Sequence, residues 1–222
     1  MGNPRSMPRA RRAVPACKPE CALQGQAEAL RAFLQQGGVI AYPTETYYGL
    51  GARITDQAGI ERIIRIKGRD SAKGMIVLAG SIESALAVAE ADSRQKALLM
   101  RLWPGAVSVL LAAREGLHPL LAPSGKVALR VSPHPLALAL TQAAGPVTST
   151  SANPSGARPA STPEEILQWG PDIDAILDGG RTPGGLPSTL ADLTVWPPRC
   201  LREGALPFQA VLDAAGCPEA AR

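Results

Sequence analysis

Short apolar runs alternate with amphipathic stretches of helical length from about residue 22 onward, and this alternation leaves few folds open to the chain. Val39–Tyr42, Met75–Leu78, Ala106–Ala112, Val127–Val131 and the segment from Val147 have the length and flanks of strands. Leu23, Ala27, Leu30 and Leu34 recur at helical spacing up to Gly37-Gly38. Asp56 is a good N-cap for a helix carrying Ile60, Ile63 and Ile64, which ends near Lys67-Gly68. Ser81 opens an Ala-rich helix, residues 93–102 form one that stops at Trp103-Pro104-Gly105, and Leu136–Ala144 forms a short one. Thr162, Pro163 and Glu165 supply the N-cap, first-turn proline and capping-box acid of a further helix. Ile173–Leu177, Thr189–Leu193 and Cys200–Arg202 read as late strands and Phe208–Ala215 as a last helix. The interleaving is not a strict βαβ series. The expectation is therefore an α+β domain of three α/β-type layers, a twisted mixed β-sheet flanked by helices.

At 222 residues, with 45% hydrophobic and 19% charged side chains, the chain has material for one sizeable core. Aromatics are only 4%, so aliphatic side chains must fill it. Residues 1–20 are Pro- and Arg-rich without hydrophobic periodicity and are expected to be a disordered extension. A myristoylation signal, a transit peptide or a true start at Met7 are alternatives for that stretch. Residues 21–216 are expected to form a single domain, with 217–222 a flexible end.

The net charge is +4, yet residues 1–18 hold five basic side chains and no acid, leaving the rest at 18 basic against 19 acidic. A near-neutral body gives little support to strong RNA binding, although the basic tail allows a weak one. No apolar run approaches the roughly 20 residues of a membrane span, and the expected location is cytoplasmic. Cys17, Cys21, Cys200 and Cys217 form no CxxC pair, so neither a zinc site nor a disulfide framework is expected.

Chemistry concentrates in loops. YPTETYYGLG, Tyr42 to Gly51, places two threonine hydroxyls and Glu45 at a strand's carboxyl end, where ligands bind in α/β-type sheets; an ordinary Ser/Thr turn is the other reading. IKGRDSAKGMIVL gathers Lys67, Arg69 and Lys73 beside Gly68 and Gly74, a set that suits phosphates or a solvated loop. No GxxxxGK[ST] pattern exists, so a nucleotide site here is not a P-loop. TSTSANPSG, Thr148 to Gly156, offers five hydroxyls and Asn153 to an anion, or forms a hydroxyl-rich turn. Ser188-Thr189 and Arg202 lie in two weaker late segments.

In this order and spacing, PTETYYGLG, KGRDSAKGMIV, LWPGAVSVLL, VALRVSPHP, STSANPSG, PSTLADL and LREGAL resemble the YrdC-like family of threonylcarbamoyl-AMP synthases in its short, single-domain bacterial form, from about Leu23 to Leu206. The resemblance implies a YrdC-like fold with a concave, cation-lined cavity. It implies a nucleotidyltransferase that makes L-threonylcarbamoyladenylate and pyrophosphate from L-threonine, bicarbonate or CO2, and ATP. Threonine's amine would become a carbamate whose oxygen attacks the α-phosphate. Magnesium would be bound mainly through the ATP phosphates, with no metal ligand assigned to the protein. The product would pass to a separate transferase that forms threonylcarbamoyladenosine in tRNA.

Carried over by position, Lys67 and Arg69 would be catalytic. Thr44, Arg130, Ser149 and Ser188 would hold threonine, the arginine as a carboxylate fork. Arg69, Lys73, Ser108, Ser151, Asn153 and Arg202 would face ATP. Three departures stand out: Tyr47 replaces a smaller or acidic residue, STLADL replaces STVVDL, and ARPAST leaves the role of Ser161 open. A non-synthase paralogue acting as an RNA-binding or translation-associated protein is the alternative within this fold. A carbamoyl-transfer domain of hydrogenase-maturation type would bring zinc-binding cysteine pairs that this chain lacks.

Overall fold

Capping chemistry sets the element boundaries. The Asp56 side chain accepts from the Gly59 amide to start one helix, and Gly68, at φ +56, closes it with its N–H on the carbonyls of Ile64 and Arg65. Ile60 and Ile63 on that helix are fully buried, each contributing roughly 1.5–3 kcal/mol. The computed structural model describes residues 12–14, 31–68 and 74–217. The first elements are β1 (Arg12–Val14), α1 (described turn 31–35), β2 (Ile40–Tyr42), β3 (Gly49–Gly51), α2 (Gln57–Lys67) and β4 (Ile76–Ala79). There follow α3 (Ile82–Leu86), β5 (Ala89–Glu90), α4 (Ser93–Leu102), β6 (Val107–Ala113), β7 (Lys126–Val131) and α5 (Pro135–Ala144). The chain continues with β8 (Val147–Ser151), α6 (Pro163–Trp169), β9 (Ala175–Leu177), β10 (Thr189–Asp192), β11 (Arg199–Arg202) and α7 (Phe208–Ala214).

The strands form one mixed sheet in the order β1-β9-β2-β3-β8-β4-β7-β6-β10-β11, with β5 paired to β6. β9/β2, β4/β7 and β6/β10 are parallel, whereas β2/β3, β3/β8, β8/β4 and β7/β6 are antiparallel. Successive residues serve opposite cores, as the two-residue period requires. Ala41, Val77 and Ala79 join a large cluster with Ile60, Leu98, Val107, Val109, Leu129 and Val211. Ile40, Tyr42 and Leu78 join a smaller one with Leu34, Ala137, Leu140 and Val147. α2, α4 and α7 pack in the larger cluster on the first face. Among the described residues, α1 and α5 pack in the smaller cluster over β2, β4, β8 and β9. No described helix is long and apolar enough to cross a membrane.

Several expectations change. Arg12–Val14 pair in parallel with Ala175–Leu177, so residues 1–20 are not wholly irregular. Main-chain pairing along an open edge needs no hydrophobic period, which is why composition misses it. The remaining residues of 1–30 lie outside the described residues, as do Cys17, Cys21 and most of the helix expected from Leu23. The helix stop at Gly37-Gly38 stands, with Gly38 N–H on Phe33 O at 2.9 Å. Cys217 N–H binds Leu212 O at 2.9 Å after α7, and residues 218–222 of the end expected to be flexible lie outside the described residues. Glu165 caps by reaching Ser161 N at 2.6 Å, one residue before the N-cap Thr162. β3 emerges from what reads as loop: Gly49 and Gly51 lie against the Tyr42 ring, where a Cβ on Gly51 would stand 2.7 Å from Tyr42 Cε1.

Candidate active site

The part of the second face beyond the smaller cluster floors a cavity of about 280 Å³. Register explains its lining. Arg130 sits opposite Leu78, on the same face as the smaller core, and Ile76 sits opposite both Ala128 and Ser149. Ala128, Arg130, Ser149, Ser151, Leu190 and Arg202 come from β7, β8, β10 and β11. Thr44, Thr46, Tyr47 and Tyr48 come from the loop between β2 and β3, and Pro187 and Ser188 from the approach to β10.

The threonine loop is a built turn. Thr44 Oγ1 donates to Tyr47 O at 2.7 Å, accepts from Thr46 N at 3.2 Å, and lies 3.1 Å from Thr46 Oγ1. Tyr48 Oη donates to Gly180 O at 2.8 Å and accepts from Gly179 N at 3.0 Å. Burial pushes the Tyr48 phenol up to about 12, so it serves as a neutral brace. Glu45 leaves this turn and sits between two partners. Its Oε1 is 3.1 Å from Arg130 Nη1, and its Oε2 accepts from Ser132 Oγ. Arg130 is 4% exposed, and both its Nε and Glu45 Oε1 are buried without a directed hydrogen bond. The guanidinium is thus charge-balanced, with its buried Nε left unpaired.

Behind the wall, Lys67 Nζ donates to Ser151 O at 2.6 Å and Asn153 Oδ1 at 2.7 Å. Asn153 Nδ2 donates in turn to Ala157 O at 2.5 Å. Lys67 therefore fixes the serine-rich loop, which lies more than eighty residues further along the chain. Arg202 donates to Ser188 O from Nη2 at 2.8 Å and from Nε at 3.2 Å, while Ser188 Oγ is 2.9 Å from Ser108 Oγ. Burial, and after it the neighbouring Arg130 charge, hold the Arg202 pKa below its ordinary value.

Of the expected site residues, Thr44, Arg130, Ser149, Ser151, Ser188 and Arg202 line the cavity together. Lys67, Ser108 and Asn153 stand behind the lining and hold parts of it. Ser161 is 3% exposed and also lies outside the lining; its carbonyl accepts from Thr182 N. Arg69 and Lys73 lie outside the described residues. Sequence reasoning passed over Tyr48 and Pro187 as lining, and Ser132 as the partner of Glu45; Thr46 was read only as one of the two hydroxyls of the loop. The double tyrosine within PTETYYG was the available signal for Tyr48. Nothing local marks Ser132, which meets Glu45 across 87 residues.

The chain is similar to known proteins in sequence and fold. The model of the Sua5, YciO and YrdC family, described as "Telomere recombination", matches residues 32–204. Threonylcarbamoyl-AMP synthase of Pyrococcus abyssi is 36% identical over 184 residues, which are 81% of this chain and 54% of that protein. The chain thus spans about half the length of that relative. The enzyme of the same name from Thiobacillus denitrificans is 39% identical over 174 residues, 77% of this chain and 92% of its own. The crystal structure of P. abyssi Sua5 complexed with L-threonine superposes with a TM-score of 0.83 at 33% identity, covering 89% of this chain and 59% of that one.

Proposed function

The chain belongs to the Sua5, YciO and YrdC family, and from that premise we propose that it is a threonylcarbamoyl-AMP synthase, joining L-threonine, bicarbonate or CO2, and ATP with release of pyrophosphate. One observation carries the reading furthest: two guanidiniums, Arg130 and Arg202, share a cavity whose other polar groups are mainly hydroxyls. Such a site suits a carboxylate at one end and phosphates at the other.

In this reading Arg130, a lining residue, takes the threonine carboxylate, while Thr44, Ser149 and Ser188 surround the rest of the amino acid. Ser151 and Arg202 face the nucleotide, with Asn153 and Ser108 holding the loop and strand that present them. The segment carrying Arg69 and Lys73 re-enters the described chain at Gly74, a lining residue, which supports their assignment to the phosphates. Lys67 acts by fixing Ser151 and Asn153 at the junction between the two substrates. Catalysis then rests on placing the carbamate oxygen in line with the α-phosphate and on cationic stabilisation of the phosphates. Magnesium would be carried on the ATP phosphates, with Ser149 and Ser151 as nearby hard oxygen donors, and would offset phosphate charge. The product is a reactive mixed anhydride, suited to onward transfer by a separate enzyme acting on tRNA.

The test is pyrophosphate release by purified protein with ATP, magnesium and bicarbonate, with and without L-threonine. Release is expected to need both threonine and bicarbonate, and to fall by about a hundredfold or more in Lys67→Ala and Arg69→Ala, the scale of losing one preorganised electrostatic group. Folded protein without threonine-dependent release would overturn the synthase and favour the RNA-binding alternative.

A further inference from the structure

Two guanidiniums in one small cavity pose a problem of discrimination. Each attracts any anion, and a polyphosphate able to bridge both would gain most and occupy the place of the amino acid. The structure breaks the symmetry. Glu45 lies 3.1 Å from Arg130 Nη1, whereas no carboxylate among the described residues is within salt-bridge distance of Arg202, whose hydrogen bonds go to Ser188. Glu45 is held in this position from both sides. Thr44 and Thr46 fold the turn that carries it, and the Ser132 hydroxyl fixes its second oxygen. Its contact with Arg130 is one of charge rather than of aligned hydrogen bonds, because Glu45 Oε1 and Arg130 Nε both lack a directed partner.

We propose that Glu45 is a charge-setting positioning residue: by pairing with Arg130 it reserves that guanidinium for a single carboxylate and keeps polyphosphate at the Arg202 end. This rests on the synthase reading and deepens it. A single carboxylate adds only one negative charge beside the Arg130–Glu45 pair. A phosphate chain carries more charge into the same space, where the Glu45 carboxylate beside Arg130 repels it more strongly, and close like charges discriminate strongly.

The experiment is equilibrium dialysis of radiolabelled L-threonine against inorganic pyrophosphate, with wild type, Glu45→Gln and Glu45→Asp at two ionic strengths, each variant's fold checked by circular dichroism. Pyrophosphate is expected to displace threonine from Glu45→Gln at a concentration lower than in wild type by about tenfold or more. That displacement should weaken as salt rises, which a merely structural defect would not produce. Glu45→Asp keeps the charge one methylene further from Arg130 and should shift the same way by a smaller factor, which also serves if the glutamine variant fails to fold. Variants displaced at the wild-type concentration, or a shift indifferent to salt, overturn the proposal while leaving the synthase intact. A wild type that binds no threonine overturns both.

Discussion

At the scale of single residues, the site divides into groups that face the cavity and groups that hold those groups still. Lys67 belongs to the second kind, although its neighbours in sequence are cations and glycines that suit phosphate. Its ammonium is spent on Ser151 and Asn153, a contact that no local pattern encodes. Arg130 was legible only through the resemblance carried by VALRVSPHP, and its partner Glu45 only as part of a polar loop. His134 is another case. Its Nδ1 accepts from Leu136 N at 3.3 Å to start α5, and burial lowers its pKa from 6.5. The unfolded chain therefore takes up a proton below about pH 6.5 more readily than the folded one, so stability falls as pH drops through 6.5 and levels off once the folded group protonates. Urea midpoints from pH 7.5 to 5 should show this decline. His134→Asn, which keeps a capping acceptor, should flatten the part of it that His134 causes.

Among the elements, those with strong caps and apolar stripes were readable to within a residue or two: α2, α4, α5 and α6 begin on Asp56, Asp92, His134 and Thr162. The two-residue β5 and the glycine strand β3 were not, because neither has an apolar alternation to read. β3 exists because Tyr42 needs flat backbone beside it. The Tyr42 hydroxyl donates to Thr148 O at 3.0 Å, and burial raises its pKa to about 12, so the ring stays neutral and fixed across Gly49 and Gly51. Gly51→Ala would place a Cβ 2.7 Å from Tyr42 Cε1 and 3.3 Å from Thr148 O. We expect a loss of about 1–3 kcal/mol in urea unfolding, the usual cost of overpacking a close contact. A change within about 0.5 kcal/mol would mean that the ring moves aside without strain.

For the molecule as a whole, the three-layer mixed sheet followed from the interleaving of apolar runs, but the incompleteness of its third layer did not. Which residues of β6, β7 and β10 remain uncovered depends on where α5 lands, and that is a matter of register rather than composition. Ligands that bind the folded cavity alone should raise the melting temperature with concentration, by about 2.7 kcal/mol of stability at a hundred times their dissociation constant. L-Threonine and ATP with magnesium are the ligands to try, and absence of any shift at saturating concentrations would count against the cavity as their site. The open face has a further meaning. Selected for stability alone, the chain would have closed it with leucines, as it does over β2 and β4. On the proposed reading the closing layer is dissolved in the surroundings, arriving as substrate and departing as product, so the protein would be structurally finished only while it is at work.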